Sequence, residues 1–519
     1  MSLNYHLDAA RQYHSGTKHS YLGIRMHPHV LDWENKPLLF KIYPTLEVTR
    51  LPKDFDDTHT PALNAIAAAV PQETEAIPDL ETLGQILFFS AGVTKSKKFE
   101  GEERFFRAAA CTGALYEIEL YVVCRDLKAK IGPGLPAGVY HFGAAEFGLR
   151  QLRAGDFRDA IVEATGNDPS VAHAPVTIIC TGTYWRNAWK YRSRTYRHFG
   201  WDNGTILANM GAISAGTKLP AKVLAGFVDS KVNALLGLDT NREVAFSLVA
   251  LGYQKVELPP SAEVSPLELP TVPYSKEEVD YPAMRKMHEA SWFDSAEEVA
   301  SWRGKTPLHQ NPPAKGLMSA LQPPEPRKTP EDTVEQVISR RGSTRQFARD
   351  PITFAQLSLM LDRATRGIPA DFLEPFGSHL NDLYLIVNNV HGLTAGAYFF
   401  HWEKKELELL KAGDFRERAG YLGLEQRIPS DASVDVFFLA DLKKILERYG
   451  NRGYRAVQLE AGILGGKFYL AAYAQKLGAS GLTFYDDDVV SFFSPHARGK
   501  SAIFLTALGR SVRRLDQSR

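Results

Sequence analysis

The chain has 519 residues and a mass of 57.7 kDa, too long for one ordinary core, so two or more domains are expected. Hydrophobic residues make up 44% and charged residues 23%, an ordinary globular balance that excludes a disordered, collagenous or supercharged chain. Sixty-one Lys and Arg against 60 Asp and Glu leave a net charge of +1, which excludes a strong field recruiting nucleic acid or anionic membrane. Residues 1–59 carry no apolar run of signal-peptide type, and no stretch approaches the roughly 18 apolar residues of a membrane span. The cysteines Cys111, Cys124 and Cys180 form no CxxC pair, so a reducing, cytoplasmic setting is expected. In chain order, the apolar periodicity predicts a helix over 80–89, a strand over 118–124 and a strand pair around GVYHF at 138–142. A Val/Ile-rich strand at 176–181, a long Ala/Gly-rich helix at 202–215 and a closing strand at 243–250 follow. The same succession then returns as 354–364, 383–387, 396–400, 434–440, 458–475 and 501–507.

The recurrence is explicit in the letters. LRQLRAGDFR at 149–158 reappears as LELLKAGDFR at 407–416, an offset of 258. The same offset relates Gly138-Val-Tyr140 to Gly396-Ala-Tyr398, Tyr196-Arg197 to Tyr454-Arg455, Asp202 to Glu460 and Gly204 to Gly462. VALG at 249–252 pairs with TALG at 506–509 at an offset of 257. The period is far too long for a solenoid, so two tandem copies of one domain are expected. Residues 259–330 hold 13 of the 30 prolines and read as an extended linker with one helix over 284–301. The expected organisation is an extension at 1–59, copies at 60–258 and 331–519, and the linker between them. Helices and strands cluster without a GxGxxG after a strand, which favours an α+β fold over a doubly wound one.

Three segments carry chemistry. The first is Arg340-Arg341-Gly-Ser343-Thr-Arg345-Gln-Phe347; guanidinium donors and a hydroxyl at a helix end suit a phosphate, though the letters alone also fit a basic helix terminus with a Ser cap. The second runs from Arg107 through Cys111-Thr112-Gly113-Ala114-Leu115-Tyr116-Glu117-Ile118-Glu119. Its small residues let backbone approach a flat ring, or form a turn before a buried strand. The third is Trp189-Lys190-Tyr191-Arg192-Ser-Arg194-Thr-Tyr196-Arg197, equally a solvated basic face or a place where a lysine of depressed pKa acts as a base.

Over both copies, roughly residues 60–258 and 331–519, the segments resemble the nitroreductase superfamily of flavin enzymes, and most of all its SagB/ThcOx branch, the azoline dehydrogenases of peptide natural-product pathways. The resemblance implies two tandem nitroreductase-like, FMN-dependent domains packed as an intramolecular pseudo-dimer. It implies that an RxSxR segment (Arg340, Arg341, Ser343, Arg345) holds the FMN phosphate. A loop similar to PSxGALYPxELY (Cys111, Thr112, Gly113, Ala114), with Ala110-Cys111 in place of Pro-Ser, would lie against the isoalloxazine. The KYxxRxYR segment would contribute Lys190 and Tyr191 to catalysis. Tyr13-His14-Ser-Gly-Thr17-Lys18 resembles the family's opening segment, with no role assigned.

The copies are complementary. An offset of 274 aligns the helix beginning at Leu83 with the one at Leu357, and places Ile66, Ala67, Ala69 and Pro71 where the second copy has Arg340, Arg341, Ser343 and Arg345. Conversely, Lys190-Tyr191 becomes Arg448-Tyr449, and Gly377 to Tyr384 replaces the ring loop. One FMN per chain is therefore expected, gripped by the second copy and covered by the first. Arg510, Arg513 and Arg514 are further phosphate candidates. Asp486-Asp487-Asp488 reads as a helix N-terminus rather than a metal cluster, and no metal is expected. The expected activity is hydride transfer between flavin N5 and a modified peptide or small metabolite, with Lys190 as base and Tyr191 as acid or orienting donor. An NAD(P)H-dependent nitro or quinone reductase and a non-catalytic flavin-binding or partner protein are the alternatives. Partners beyond a small-molecule or peptide substrate, nucleic acid and membrane included, are not expected. Residues 1–59 and the linker helix are expected to cap the pocket.

Overall fold

A computed structural model describes residues 3–99, 102–258, 260, 263–304, 306 and 313–512. Two antiparallel sheets form its frame. In the first, β1 (Ile118–Cys124), β2 (Gly138–Gly143), β3 (Gly148–Ala154), β4 (Val176–Thr183), β5 (Ala221–Leu224) and β6 (Glu243–Leu251) stand in the order β3-β2-β1-β4-β6-β5. In the second, β7 (Asp382–Val387), β8 (Gly396–His401), β9 (Glu406–Ala412), β10 (Val434–Ala440) and β12 (Ser501–Ser511) stand in the order β9-β8-β7-β10-β12, with β11 (Gly478–Leu482) paired to β12. Strand for strand the arrangement is the same. Even the irregularities recur: register shifts at Val139/Tyr140 and Cys180/Thr181 are matched 258 residues on, at Ala397/Tyr398 and Phe438/Leu439. A bulge re-aims a strand, so both sheets bend at equivalent points. β1, β4, β6, β7 and β10 are buried at every position. Burial on both faces is why they read as continuous apolar runs rather than alternating ones.

Six helices place the site: α1 (Asp8–Gly16), α2 (Thr195–Gly216), α3 (Asp229–Leu236), α4 (Pro282–Glu289), α5 (Arg452–Ala474) and α6 (Asp486–Phe493). The long helices α2 and α5 cross in near backbone contact. A Cβ on Gly204 would lie 2.5 Å from the main chain of Gly462, so only glycine allows this approach. Both helices start earlier than the periodicity predicted, at Thr195 and Arg452 rather than 202 and 458. Their first turns carry Tyr-Arg pairs that look solvated but are buried.

Those arginines bind the halves together. Arg197 of α2 reaches Asp486 Oδ1 at 2.7 Å, and Arg194, just before α2, reaches Asp486 Oδ2 at 3.0 Å; Asp486 is the first residue of α6. In mirror fashion Arg455 and Arg452 of α5 each lie 2.9 Å from Asp229, the first residue of α3. Arg197 also donates to Thr17 Oγ1 (3.0 Å) and His14 O (2.7 Å), and Arg455 to Ser291 Oγ (2.8 Å) and His288 O (3.1 Å). Tyr454 OH lies 3.2 Å from His14 Nδ1, and Tyr196 OH lies 3.1 Å from His288 Nδ1. Helices α1 and α4 thus fill matching places.

One helix of residues 1–59 and one of residues 259–330 pack on α2 and α5 in the same way. The single helix expected over 284–301 is corrected. It is two, α4 and Ala296–Trp302, the second capped by Ser295, whose Oγ accepts from Glu298 N at 3.2 Å. Met284, Met287, Phe293, Val299 and Trp302 are buried, an apolar face that no extended linker would need. A hairpin of Val93–Phe99 with Glu102–Arg107 was not anticipated. The three cysteines are free, and no helix among the described residues is long and apolar enough to cross a membrane.

Candidate active site

Between the two halves lies a cavity of about 390 Å³. One wall comes from the first half: Cys111, Thr112, Gly113, Lys190, Tyr191 and Asp202. The other comes from the second: Ser343, Arg345, Tyr469 and the segment 481–483. His19, between α1 and the rest of the extension, lines it too, as do Trp201 and His198 of the first half and Phe504 of the second.

The loop before β1 is set by its glycine and by Asp202. Gly113, Ala114 and Tyr116 have φ of +67°, +55° and +54°, the left-handed region that costs energy outside glycine. A Cβ at Gly113 would lie 2.9 Å from the Tyr191 hydroxyl, so this position needs glycine for space as well as for conformation. Ala114 N donates to Cys111 O at 3.1 Å and closes the turn; Ala114 supports the loop without lining the cavity. Asp202, on α2, accepts from Thr112 N at 2.8 Å, from Thr112 Oγ1 at 2.9 Å and from Cys111 Sγ at 3.2 Å. Its repeat equivalent Glu460 does the same for its own loop, accepting from Leu380 N and Asn381 N at 2.9 and 2.8 Å.

Cys111, Glu117 and Asp202 bring their polar atoms within 4.8 Å of one another. Burial, then the neighbouring Asp202, pushes the Glu117 carboxyl well above its usual range. Asp202 holds the Thr112 donors as the anion of the pair, so the two carboxyls share a proton. Burial and both carboxyls also push Cys111 up; it stays a thiol and is a poor nucleophile.

Lys190 and Tyr191 end the helix Tyr184–Tyr191. The Tyr191 ring meets His198 edge-on at 4.7 Å. Burial raises the Tyr191 pKa, so its hydroxyl is a donor throughout the physiological range. Burial lowers His198 well below the ordinary histidine value, and its neutral ring lies 2.7 Å from Asn187 Oδ1. Among the described residues Lys190 makes no hydrogen bond or ion pair; desolvation first, and Arg345 second, lower its pKa. Lys190 and Arg345, from different copies, therefore sense one another across the cavity.

The four arginine-and-serine candidates divide. Ser343 and Arg345 line the cavity. Ser343 Oγ is 3.2 Å from Tyr469 OH, which accepts from Gly481 N at 2.6 Å. Arg345 is exposed and has no hydrogen-bond or ion-pair partner among the described residues. Arg341 lies behind the wall, buried, donating from Nε to Ala108 O at 2.7 Å and from its guanidinium to Arg107 O at 3.2 Å; it clamps the first copy's loop to the second copy. Arg340 stands apart from the cavity lining. It ends the helix Val334–Arg340, pairs with Asp332 at 2.6 Å and donates to Tyr473 O at 2.8 Å, outside the cavity. Arg510 is spent on Pro351 O at 2.9 Å, and Arg513 and Arg514 lie outside the described residues. Asp486 opens α6 as expected, but its carboxylate serves Arg194 and Arg197. Tyr469, His19 and His198 were not singled out from the sequence. Tyr469 had a signal: at the offset of 258 its counterpart is Gly211, so one copy places a phenol where the other has nothing.

Residues 338–497 match the family described as the nitroreductase family. The C-terminal half carries a nitroreductase-family domain. It contains Ser343, Arg345, Tyr469 and 481–483, the second copy's share of the cavity. A candidate nitroreductase of Methanocaldococcus jannaschii is 24% identical over 165 residues, covering 30% of this chain and 81% of that one. The crystal structure of a candidate nitroreductase from Anabaena variabilis superposes with a TM-score of 0.77 at 26% identity, covering 97% of this chain and 99% of that chain. That likeness takes in both sheets, so the nitroreductase fold extends over the N-terminal half as well.

Proposed function

We propose that this protein is an FMN-dependent oxidoreductase of the SagB/ThcOx type. It holds one flavin per chain between its two repeats, which stand to each other as the subunits of a pseudo-dimer. The observation that carries this reading is the shared cavity, with the ring loop and Lys190-Tyr191 from one copy and Ser343-Arg345 from the other. The residues present fit the cofactor. An unpaired guanidinium and a hydroxyl suit its phosphate, a glycine turn beside Tyr191 suits a flat ring, and 390 Å³ lies in the range of cofactor pockets. Arg341 would contribute by holding the two walls together.

A flavin bound here would supply hydride exchange at its N5. The chain's own groups supply the rest. Lys190, freed of ion pairs and with its ammonium disfavoured by burial and Arg345, takes the proton that must leave with the hydride. Tyr191, kept protonated, orients the substrate as a donor. Trp201 and Phe504 in the lining keep water from the reacting face. A heterocycle-bearing peptide or a small metabolite is the substrate class, with NAD(P)H as the reductant in the reverse direction.

The test is flavin absorbance of the purified chain, with stoichiometry. One FMN per chain, lost in Arg345→Ala, is the expected result. Two per chain, or full flavin content in Arg345→Ala, would overturn the single shared site.

A further inference from the structure

A second cavity, of about 50 Å³, occupies the matching place on the other side of the molecule. It is lined by Ala69, which stands where Ser343 stands in the first cavity, and by Gly211, the counterpart of Tyr469. Ile368 and Ile463 close it from the second copy. It is too small for a flavin ring, yet several times the roughly 15 Å³ that one water needs. Ala68, Ala69 and Gly211 are exposed, so it has a mouth. Its lining side chains are apolar, with one exception: Lys467, on α5, is the single titratable residue in the lining.

Lys467 is more than nine-tenths buried. Its one hydrogen bond goes to Gly367 O at 2.7 Å, and no carboxylate pairs with it among the described residues. Burial alone lowers its pKa to about 8. A buried ammonium without a counter-ion is costly, and the structural task does not require one. At the matching position of the first copy the neutral Asn209 donates to Phe89 O at 3.0 Å. A charge retained in an apolar pocket with an open mouth is a charge awaiting an anion.

We propose that this second cavity binds a small organic monoanion with a short apolar body, a short-chain or branched carboxylate, whose charge is paired by Lys467. The assignment stands independently of the flavin reading, since it uses none of that site's residues.

The experiment is calorimetric titration of the full-length protein, as purified, with isovalerate, and in parallel with isoamyl alcohol as its uncharged analogue. Isovalerate is expected to bind at pH 7, with the alcohol about tenfold weaker or more. Lys467→Gln, which keeps a donor for Gly367, is expected to weaken isovalerate by about tenfold or more. Gly211→Leu places a side chain in the mouth, where a Cβ meets nothing within 4 Å, and is expected to abolish binding without disturbing the fold. Arg345→Ala is expected to leave isovalerate binding unchanged, which separates the two cavities. Equal affinity for acid and alcohol, unchanged binding in Lys467→Gln or Gly211→Leu, loss of binding in Arg345→Ala, or no isovalerate binding at all would each overturn the proposal.

Discussion

At the scale of single residues, the cavity sorts its ionisable groups by burial and neighbours. Tyr191 and Cys111 are pushed towards their protonated forms and Lys190 towards its neutral one. A base works when deprotonated, so the rate of substrate oxidation should rise with pH through a pKa below the ordinary lysine value. Lys190→Ala should remove that limb and lower the rate by about 10²–10⁴ while leaving flavin content intact; steady-state rates over a pH series would check both. A rate unaffected by Lys190→Ala would mean that no dedicated base acts, as in simple nitro or quinone reduction. The motif residues Cys111, Gly113, Lys190 and Arg345 were legible because each sits in a short local pattern. The different fates of Arg340, Arg341 and Arg345 were not. Adjacent arginines look alike in a sequence, and only the fold decides which meets Asp332, which meets the carbonyl of Ala108 and which meets open cavity.

At the scale of elements, the fully buried strands β1, β4, β6, β7 and β10 were read to within two residues because buried apolar runs announce themselves, whereas the short strands β5 and β11, the hairpin over 93–107 and the starts of α2 and α5 were missed. Arg197 and its partner Asp486 are 289 positions apart, so nothing near Arg197 discloses that it is buried and paired. One clue was present: the offset of 274 that aligns Leu83 with Leu357 also aligns His14 with His288, the anchors of α1 and α4. The Arg194–Arg197–Asp486 cluster carries a stability prediction. The two guanidiniums hold the Asp486 carboxyl well below the usual range against the cost of its burial. A depressed folded pKa contributes stability that is complete above the unfolded value, near 3.9, and is lost as pH falls below it. Asp486→Asn should strand two buried cations and cost about 3–5 kcal/mol, measurable by urea denaturation at pH 7; a cost under about 1 kcal/mol would show that the arginines find other acceptors.

At the scale of the whole molecule, the halves are joined by more than the chain connecting them. Helix α1 is pinned to both α2 and α5, α4 likewise, and each set of buried ion pairs crosses from one half to the other. Neither half should therefore melt alone. Urea unfolding followed by tryptophan fluorescence and by far-UV circular dichroism is expected to give one coincident transition, and two separated transitions would show the halves to be independent. The duplicated Arg–Asp crosslinks have a further consequence. When two identical subunits build paired pockets, any change in the gene alters both at once. With both copies on a single polypeptide the pockets are uncoupled: Ala69 and Gly211 can shrink one while Ser343 and Tyr469 furnish the other, and the scaffold that positions them stays symmetrical.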